Sequence, residues 1–195
     1  YHQDYQRQLR NNQEIRTTLF LGDIMEINLQ QVENETKEWL ENFVEQEKEE
    51  LDGFALCPYA KSARLKNKIT FRIGKHPYTD LVEHALNGND GYDVFMYVYD
   101  PDAWDKDEFH EMVYKGNDEH LAQVDLISLP DHPYEVEKIN GVLCNQGTYA
   151  YSMIAPLKAL EEASAKLHKA GYYNAWKDSD EYMHGLFRGR KDPRT

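Results

Sequence analysis

The feature that most constrains the fold is a continuous apolar run, Val94-Phe95-Met96-Tyr97-Val98-Tyr99. A strand with apolar side chains on both faces must be covered on both faces, so this run predicts the central strand of a layered domain. Apolar residues at Ile69, Phe71 and Ile73 alternate with polar ones, which predicts a second strand buried on one face. A third strand is predicted at residues 124–129.

Helical patterns separate these strands. The firmest lies between residues 35 and 51, where Trp39, Leu40 and Phe43 fall on one face and glutamates on the other. Strands that alternate with helices predict an α/β domain with a small, mainly parallel sheet of about three or more strands. Further helices are predicted from Pro58, from Thr79 to Gly88, from Asp105 to Gln123, and from Met153 to Leu167.

The domain organisation follows from the same patterns. We expect an N-terminal arm or hairpin at residues 1–34, an α/β domain at 35–170 and a loosely held C-terminal tail at 171–195. A length of 195 residues suits one domain with extensions.

Charge and composition exclude several classes of partner. The net charge of −13 repels nucleic acid and anionic membranes. No apolar run of about 18 residues is present, and the first residues lack the apolar core of a signal peptide. The two cysteines, Cys57 and Cys144, are too few for a disulfide scaffold. We therefore expect a soluble, cytoplasmic protein, and the sequence identifies no cofactor.

Polar loops follow all three predicted strands, where ligands bind in open α/β sheets. The tripeptide His-Pro-Tyr occurs in the first and third of these loops, at His76 and at His132. Asp100 and Asp102 lie in the second loop. One interpretation is that the two histidines act as acid–base groups, or bind a divalent metal together with a carboxylate. The alternative is that His-Pro and Asp-Pro simply begin loops, because a residue before proline avoids helical geometry.

Cys57 precedes Pro58 and so stands at the predicted N-cap of a helix, where backbone N–H groups and the helix dipole favour a thiolate. Lys61 and Arg64 follow on the same helix. If this helix packs antiparallel to the strands, Cys57 lies at the edge that holds both histidines. The alternative is that Cys57 is a buried small hydrophobic residue beside Phe54 and Leu56.

The segment from Gly53 to Thr79 is basic in an otherwise acidic chain. It contains six basic residues and no acidic one. Such a segment favours a substrate that carries phosphate or carboxylate. The alternative is a surface that pairs with acidic helices of the same or another subunit. The six residues are Lys61, Arg64, Lys66, Lys68, Arg72 and Lys75.

Two short motifs resemble those of a known family. They are Trp39-Leu40-Glu41-Asn42-Phe43-Val44 and Leu56-Cys57-Pro58-Tyr59-Ala60-Lys61. The family is an uncharacterised bacterial one, domain of unknown function fourteen-fifteen, whose members carry Leu-Cys-Pro-Phe-Ala-Lys. The likeness extends over about residues 36–168 and includes Asp131-His132-Pro133 and the stretch from Asn145. The resemblance implies a cytosolic α/β domain and directs attention to Cys57, His132 and Asn145. It implies no reaction.

Three functional hypotheses follow. The leading one is a small enzyme with Cys57 as nucleophile or redox thiol and His132 or His76 as base. Lys61 and Arg64 would hold an anionic small molecule, and the resemblance adds Asn145 to the binding residues. The second is a metal-binding protein that uses the two histidines and carboxylates. The third is a non-enzymatic module that forms homo-oligomers through its N-terminal arm.

Overall fold

The computed structural model describes residues 27–176 and 185–195, so most of the predicted arm lies outside the described residues. The helices are α1 (Leu29–Trp39), α2 (Ala60–Leu65), α3 (Pro77–Asn87), α4 (Lys106–Glu119) and α5 (Leu157–Lys169). A π-helical turn (Leu40–Val44) extends α1, and short 3-10 turns lie at Glu49–Leu51, Leu121–Val124 and Tyr172–Ala175. The strands are β1 (Ile69–Ile73), β2 (Val94–Tyr99), β3 (Leu126–Asp131), β4 (Lys138–Ile139), β5 (Val142–Leu143) and β6 (Ala150–Pro156).

The main sheet has four strands in the order β1-β2-β6-β3, and β4 and β5 form a separate small hairpin. β1 pairs with β2 in parallel, while β6 pairs antiparallel with both β2 and β3. The three predicted strands therefore run in one direction, and the predicted α/β fold is confirmed. The additional strand is β6, which lies between β2 and β3.

The sequence analysis misassigned β6. Met153 and Ile154 were expected to begin the last helix, but both lie in the strand, and α5 begins only at Leu157. Their spacing to later apolar residues matches a helical period, so the pattern alone does not separate the strand from the helix that follows it.

Side-chain caps decide where three helices begin. Asn28 starts α1 ahead of the predicted residue 35, because its side-chain oxygen accepts a hydrogen bond from the N–H of Gln31. His76, rather than Thr79, caps α3, and Pro77 occupies the first turn, where its fixed φ suits a helix. Asp105 caps α4 as predicted. Asp125 has a left-handed φ of 61°, so β3 starts at Leu126 instead of residue 124.

Alternate residues of β2 supply the cores on the two faces of the sheet. Phe95, Tyr97 and Tyr99 pack with residues of α3 and α4 on one face. Met96 and Val98 pack with residues of α1 and β6 on the other. The central strand is thus covered on both sides, as its continuous apolar run predicts.

The C-terminal segment is more firmly packed than predicted. Tyr172, Tyr173 and Trp176 are buried, and Phe187 lies against Tyr173 with ring centroids 5.5 Å apart. The expectation of a loosely held tail is wrong for these residues, because their aromatic side chains complete a second apolar cluster with Leu51.

Within residues 27–176 and 185–195, no helix combines the length and the apolar character needed to cross a lipid bilayer.

Candidate functional site

Loops from three strands meet at one edge of the sheet. Since β1, β2 and β3 run in the same direction, their carboxyl ends share this edge. The His76 ring lies 6.0 Å from the Trp104 ring, which connects the first loop to the second. The Tyr134 hydroxyl donates to an Asp102 carboxylate oxygen, which connects the third loop to the second. The structure therefore brings both His-Pro-Tyr loops together.

His76 serves first as a helix cap. Its Nδ1 atom accepts a hydrogen bond from the N–H of Thr79 at 3.5 Å, and the residue is exposed. Below it, the buried Asp80 carboxylate accepts hydrogen bonds from the N–H groups of Lys75 and His76, at 2.7 and 3.0 Å. The first loop is thus fixed by capping contacts. This agrees with the alternative interpretation, in which His-Pro simply begins a loop.

His132 is a buried ring with a defined tautomer. Only 1% of the residue is exposed, and its ring packs 5.6 Å from the Phe109 ring. Its Nδ1 atom accepts a hydrogen bond from the N–H of Tyr134 at 3.3 Å, which leaves the proton on Nε2. Burial lowers the pKa of His132, and the backbone carbonyls of Pro101 and Trp104 oppose that shift. These contacts describe a neutral structural histidine, so a role as general base stays a prediction.

Cys57 does not stand at a helix N-cap. Helix α2 begins at Ala60 with Tyr59 as its cap, and the carbonyl of Cys57 only accepts the N–H of Ala60 in the preceding turn. The residue is exposed, yet the protein surrounds its thiol densely enough that desolvation raises the pKa of Cys57, against smaller opposing effects of the Tyr59 and Ala60 N–H groups. The expected shift toward a thiolate is therefore wrong in direction.

The surroundings of Cys57 are not those of the histidine loops. Its N–H donates to the carbonyl of Val44, and its charge interactions are with Glu45, Tyr172 and Tyr173. Within the described part of the chain, none of its hydrogen bonds or charge interactions involves a histidine.

Arg64 of α2 contacts acidic residues. Arg64 forms a bidentate ion pair with Glu45, with Nε–Oε1 at 2.7 Å and Nη2–Oε2 at 2.9 Å, and lies 3.4 Å from Glu41. Lys61 is exposed on the same helix. The contacts of Arg64 favour the second interpretation of the basic segment, pairing with an acidic helix of the same chain.

Asn145 connects two parts of the edge. Its Nδ2 atom donates to Asp131 Oδ1 at 2.8 Å, and its Oδ1 atom accepts the N–H of Glu137 at 3.0 Å. Both Asn145 and Asp131 are buried. Burial raises the pKa of Asp131 to about 6, although hydrogen bonds from Asn145 and the Gln146 backbone lower it. Asn145, a predicted site residue, is thus in direct contact with the buried Asp131 carboxylate.

Two further carboxylates lie on the same segment, and we call Asp131, Glu135 and Glu137 the acidic cluster. Burial, followed by the charges of Asp131 and Glu135, raises the pKa of Glu137 to about 8. Burial also raises the pKa of Glu135. The sequence analysis missed both glutamates, although the signal was present in acidic residues that recur at short spacing directly after a predicted strand.

His110 of α4 borders the acidic cluster. Its Nε2 atom lies 3.0 Å from Glu135 Oε2, but the two atoms are not aligned for a hydrogen bond and both remain unsatisfied. Burial, with a smaller contribution from His132, lowers the pKa of His110 to about 4. The ring is therefore neutral and does not compensate the carboxylates.

The acidic cluster has no lysine or arginine ion pair among the described residues. Nor do those residues contain a group of three or more His, Cys, Asp or Glu side chains arranged to hold a metal ion. Both cysteines are free, and burial raises the pKa of Cys144 to about 12. The chemistry available at this edge is proton transfer by carboxyl groups.

The fold and the acidic cluster define an α/β protein with one buried and two half-buried carboxyl groups at the carboxyl edge of its sheet. Comparison with known proteins adds no relative: no family model matches the chain, and no curated protein or solved structure matches it.

Proposed function

We propose that the protein is a small enzyme that uses the acidic cluster for general acid–base catalysis. The observation that carries this proposal is the buried Asp131 carboxylate, which is held by Asn145 at the end of β3 beside Glu137. A buried carboxylate without a cationic partner is costly, and such arrangements are concentrated at functional sites. Its position at the carboxyl ends of the strands is where α/β sheets bind ligands.

The two carboxyl groups suit opposite roles. With a pKa of about 6, Asp131 is mostly ionised at neutral pH and accepts a proton. With a pKa of about 8, Glu137 is mostly protonated at neutral pH and donates one. Asn145 is a positioning residue, because its Nδ2 atom donates to Oδ1 of Asp131 and so fixes the orientation of the carboxylate.

The charge of the cluster sets the substrate class. The ionised Asp131 carboxylate, beside Glu135, repels anions, so the proposed substrate is a small polar molecule that is neutral or cationic. This differs from the anionic substrate expected from the sequence, since Arg64 is already neutralised by Glu45.

The test is to incubate the full chain with a defined mixture of small amines, amides, polyols and amino acids and to follow consumption by mass spectrometry. We expect wild type to consume at least one compound and Asp131→Asn or Glu137→Gln to reduce its rate at least about 100-fold. Glu111→Gln, which removes an exposed carboxylate of α4, is the matched control and keeps the wild-type rate. Equal rates in Asp131→Asn and wild type, or no consumption by wild type, would contradict the proposal.

A second variant separates this proposal from the cysteine-dependent enzyme. Cys57→Ser should keep the rate, because the raised pKa of Cys57 leaves little thiolate and its contacts do not include the acidic cluster. A rate lost in Cys57→Ser and retained in Asp131→Asn would instead support the nucleophilic cysteine.

A further inference from the structure

A polar cavity of about 310 Å³ lies away from the acidic cluster, between the end of α3 and the β1–β2 side of the sheet. Helix α3 starts at the carboxyl edge with His76 and ends at Asn87, so the cavity lies about one helix length, roughly 16 Å, from that edge. The volume is at the small end of the range for ligand sites in proteins. The residues used below are Arg72, Asn87, Gly88, Asp90, Phe95 and Tyr97.

One wall of the cavity carries a positive charge. Arg72 on β1 is the register partner of Tyr97 on β2, and its guanidinium carbon lies 5.3 Å from the centre of the Phe95 ring. Stacking on an aromatic face holds a guanidinium in place, and a side-chain hydrogen bond to Tyr97 uses only part of the five N–H donors of Arg72. Among the described residues, Arg72 makes no ion pair.

Another part of the lining carries negative charge. Asp90 has a left-handed φ of 47° in the turn after α3, and the last carbonyl groups of the helix, which ends at Asn87, add the negative end of the helix dipole. His84 adds little positive charge, because burial lowers its pKa, against the smaller opposing effect of the hydrogen bond between its Nε2 atom and Asn89 Oδ1 at 2.8 Å.

Arg72 and Asp90 line one cavity but do not form an ion pair with each other. Two opposite charges that stay apart across an open space match a ligand that carries both charges itself. We propose that this cavity binds a small zwitterion of the α-amino acid class. Its carboxylate pairs with Arg72, and its ammonium group lies against Asp90 and the last carbonyls of α3.

This site uses no residue of the acidic cluster, so it stands independently of the proposed enzyme. The test is titration of the isotope-labelled full chain, followed by two-dimensional amide NMR. The probes are the standard L-α-amino acids, their N-acetyl and α-carboxamide derivatives, and inorganic phosphate. We expect at least one free amino acid to shift the amide signals of Arg72, Gly88 and Asp90. Loss of either ligand charge should weaken binding at least about tenfold.

Two variants locate the binding. Arg72→Gln and Asp90→Asn should each weaken it at least about tenfold, and Asn accepts the left-handed φ at position 90. Lys66→Gln and Asp93→Asn remove the same charges from exposed positions outside the cavity and should bind as wild type does. Shifts with phosphate but with no amino acid would overturn the proposal. So would unchanged binding in folded Arg72→Gln, or no shift of the cavity amides with any probe.

Discussion

Gly74 is the residue at which the first loop of the edge meets the aromatic core. Its missing side chain leaves room for the Tyr99 ring, since a Cβ at position 74 would lie 2.1 Å from Tyr99 Cε1. Tyr99 is buried, with Trp104 and Phe109 packed edge-on against its ring. The ring therefore has no free direction in which to move, and the loop can approach the core only at a glycine.

Gly74→Ala should destabilise the protein by about 1–3 kcal/mol, because the added methyl group would overlap the closely packed Tyr99 ring. The measurement is the free energy of unfolding in urea. Gly185→Ala is the matched control: a Cβ there meets no atom within 4 Å, and we expect a change within about 0.5 kcal/mol. Equal stability of Gly74→Ala and wild type would show that Tyr99 can shift.

Single residues of the site were only partly predictable. Strand endings in the sequence correctly indicate that the His76 and His132 loops share an edge. They do not indicate that His132 is enclosed, because its burial depends on Phe109 from a helix more than twenty residues away. Asn145 came from a resemblance, and its partner Asp131 lies fourteen residues earlier. Which carboxyl groups lose their solvent is a property of the assembled edge.

At the scale of elements, β6 explains most of the difference between the predicted and observed folds. It pairs with β2, which lies about fifty residues earlier, and with β3. A strand that is hydrogen-bonded on both sides is specified by distant partners, so its own seven residues contain little periodic signal. By contrast, β1 follows from local alternation, β2 from its continuous apolar run and the end of α3 from Gly88, whereas the start of α3 was predicted three residues late, at Thr79 instead of His76.

The short helix α2 depends on a neighbour for its position. Glu45, whose side chain is 3% exposed, follows the π-helical turn at Leu40–Val44, and its carboxylate binds both Nε and Nη2 of Arg64. With only six residues, α2 has little stability of its own. The bidentate pair therefore joins α2 to the preceding helical segment.

Arg64→Ala should lower the urea midpoint of unfolding strongly, because it leaves the buried Glu45 carboxylate without a partner. The double variant Arg64→Met with Glu45→Gln should recover most of the loss, since no buried charge then remains. Lys37→Ala removes one partner of the exposed Lys37–Glu33 pair, and its effect should be several-fold smaller. If the single Arg64 variant and Lys37→Ala behave alike, the pair does not hold α2.

For the whole molecule, the charge balance makes stability depend on pH. The net charge of −13 disfavours a compact state at neutral pH through repulsion between like charges. The carboxyl groups of the acidic cluster contribute further because folding removes them from water. At acidic pH the relevant group is His110, whose pKa is lowered to about 4 in the folded protein. As the pH falls below about 6.5, the unfolded chain binds a proton at this histidine that the folded protein does not, so stability is lost. Glu137 acts at the alkaline end.

The folded-state pKa of Glu137, about 8, lies above its value in the unfolded chain, so the folded state holds a proton that the unfolded state has released. Stability must therefore fall as the pH rises toward 8 and level off above it. Between about pH 7.5 and about pH 8.5, where histidines are largely neutral in both states, we expect wild type to lose about 0.5–1 kcal/mol.

Glu137→Gln should show a nearly flat profile over the same range, because the amide cannot release a proton. Glu111→Gln, at an exposed carboxylate, should keep the wild-type slope. Urea unfolding at closely spaced pH values measures all three chains. The same slope in Glu137→Gln and wild type would mean that Glu137 is ionised in the folded protein at neutral pH. The acid of the proposed acid–base pair would then have to be a different group.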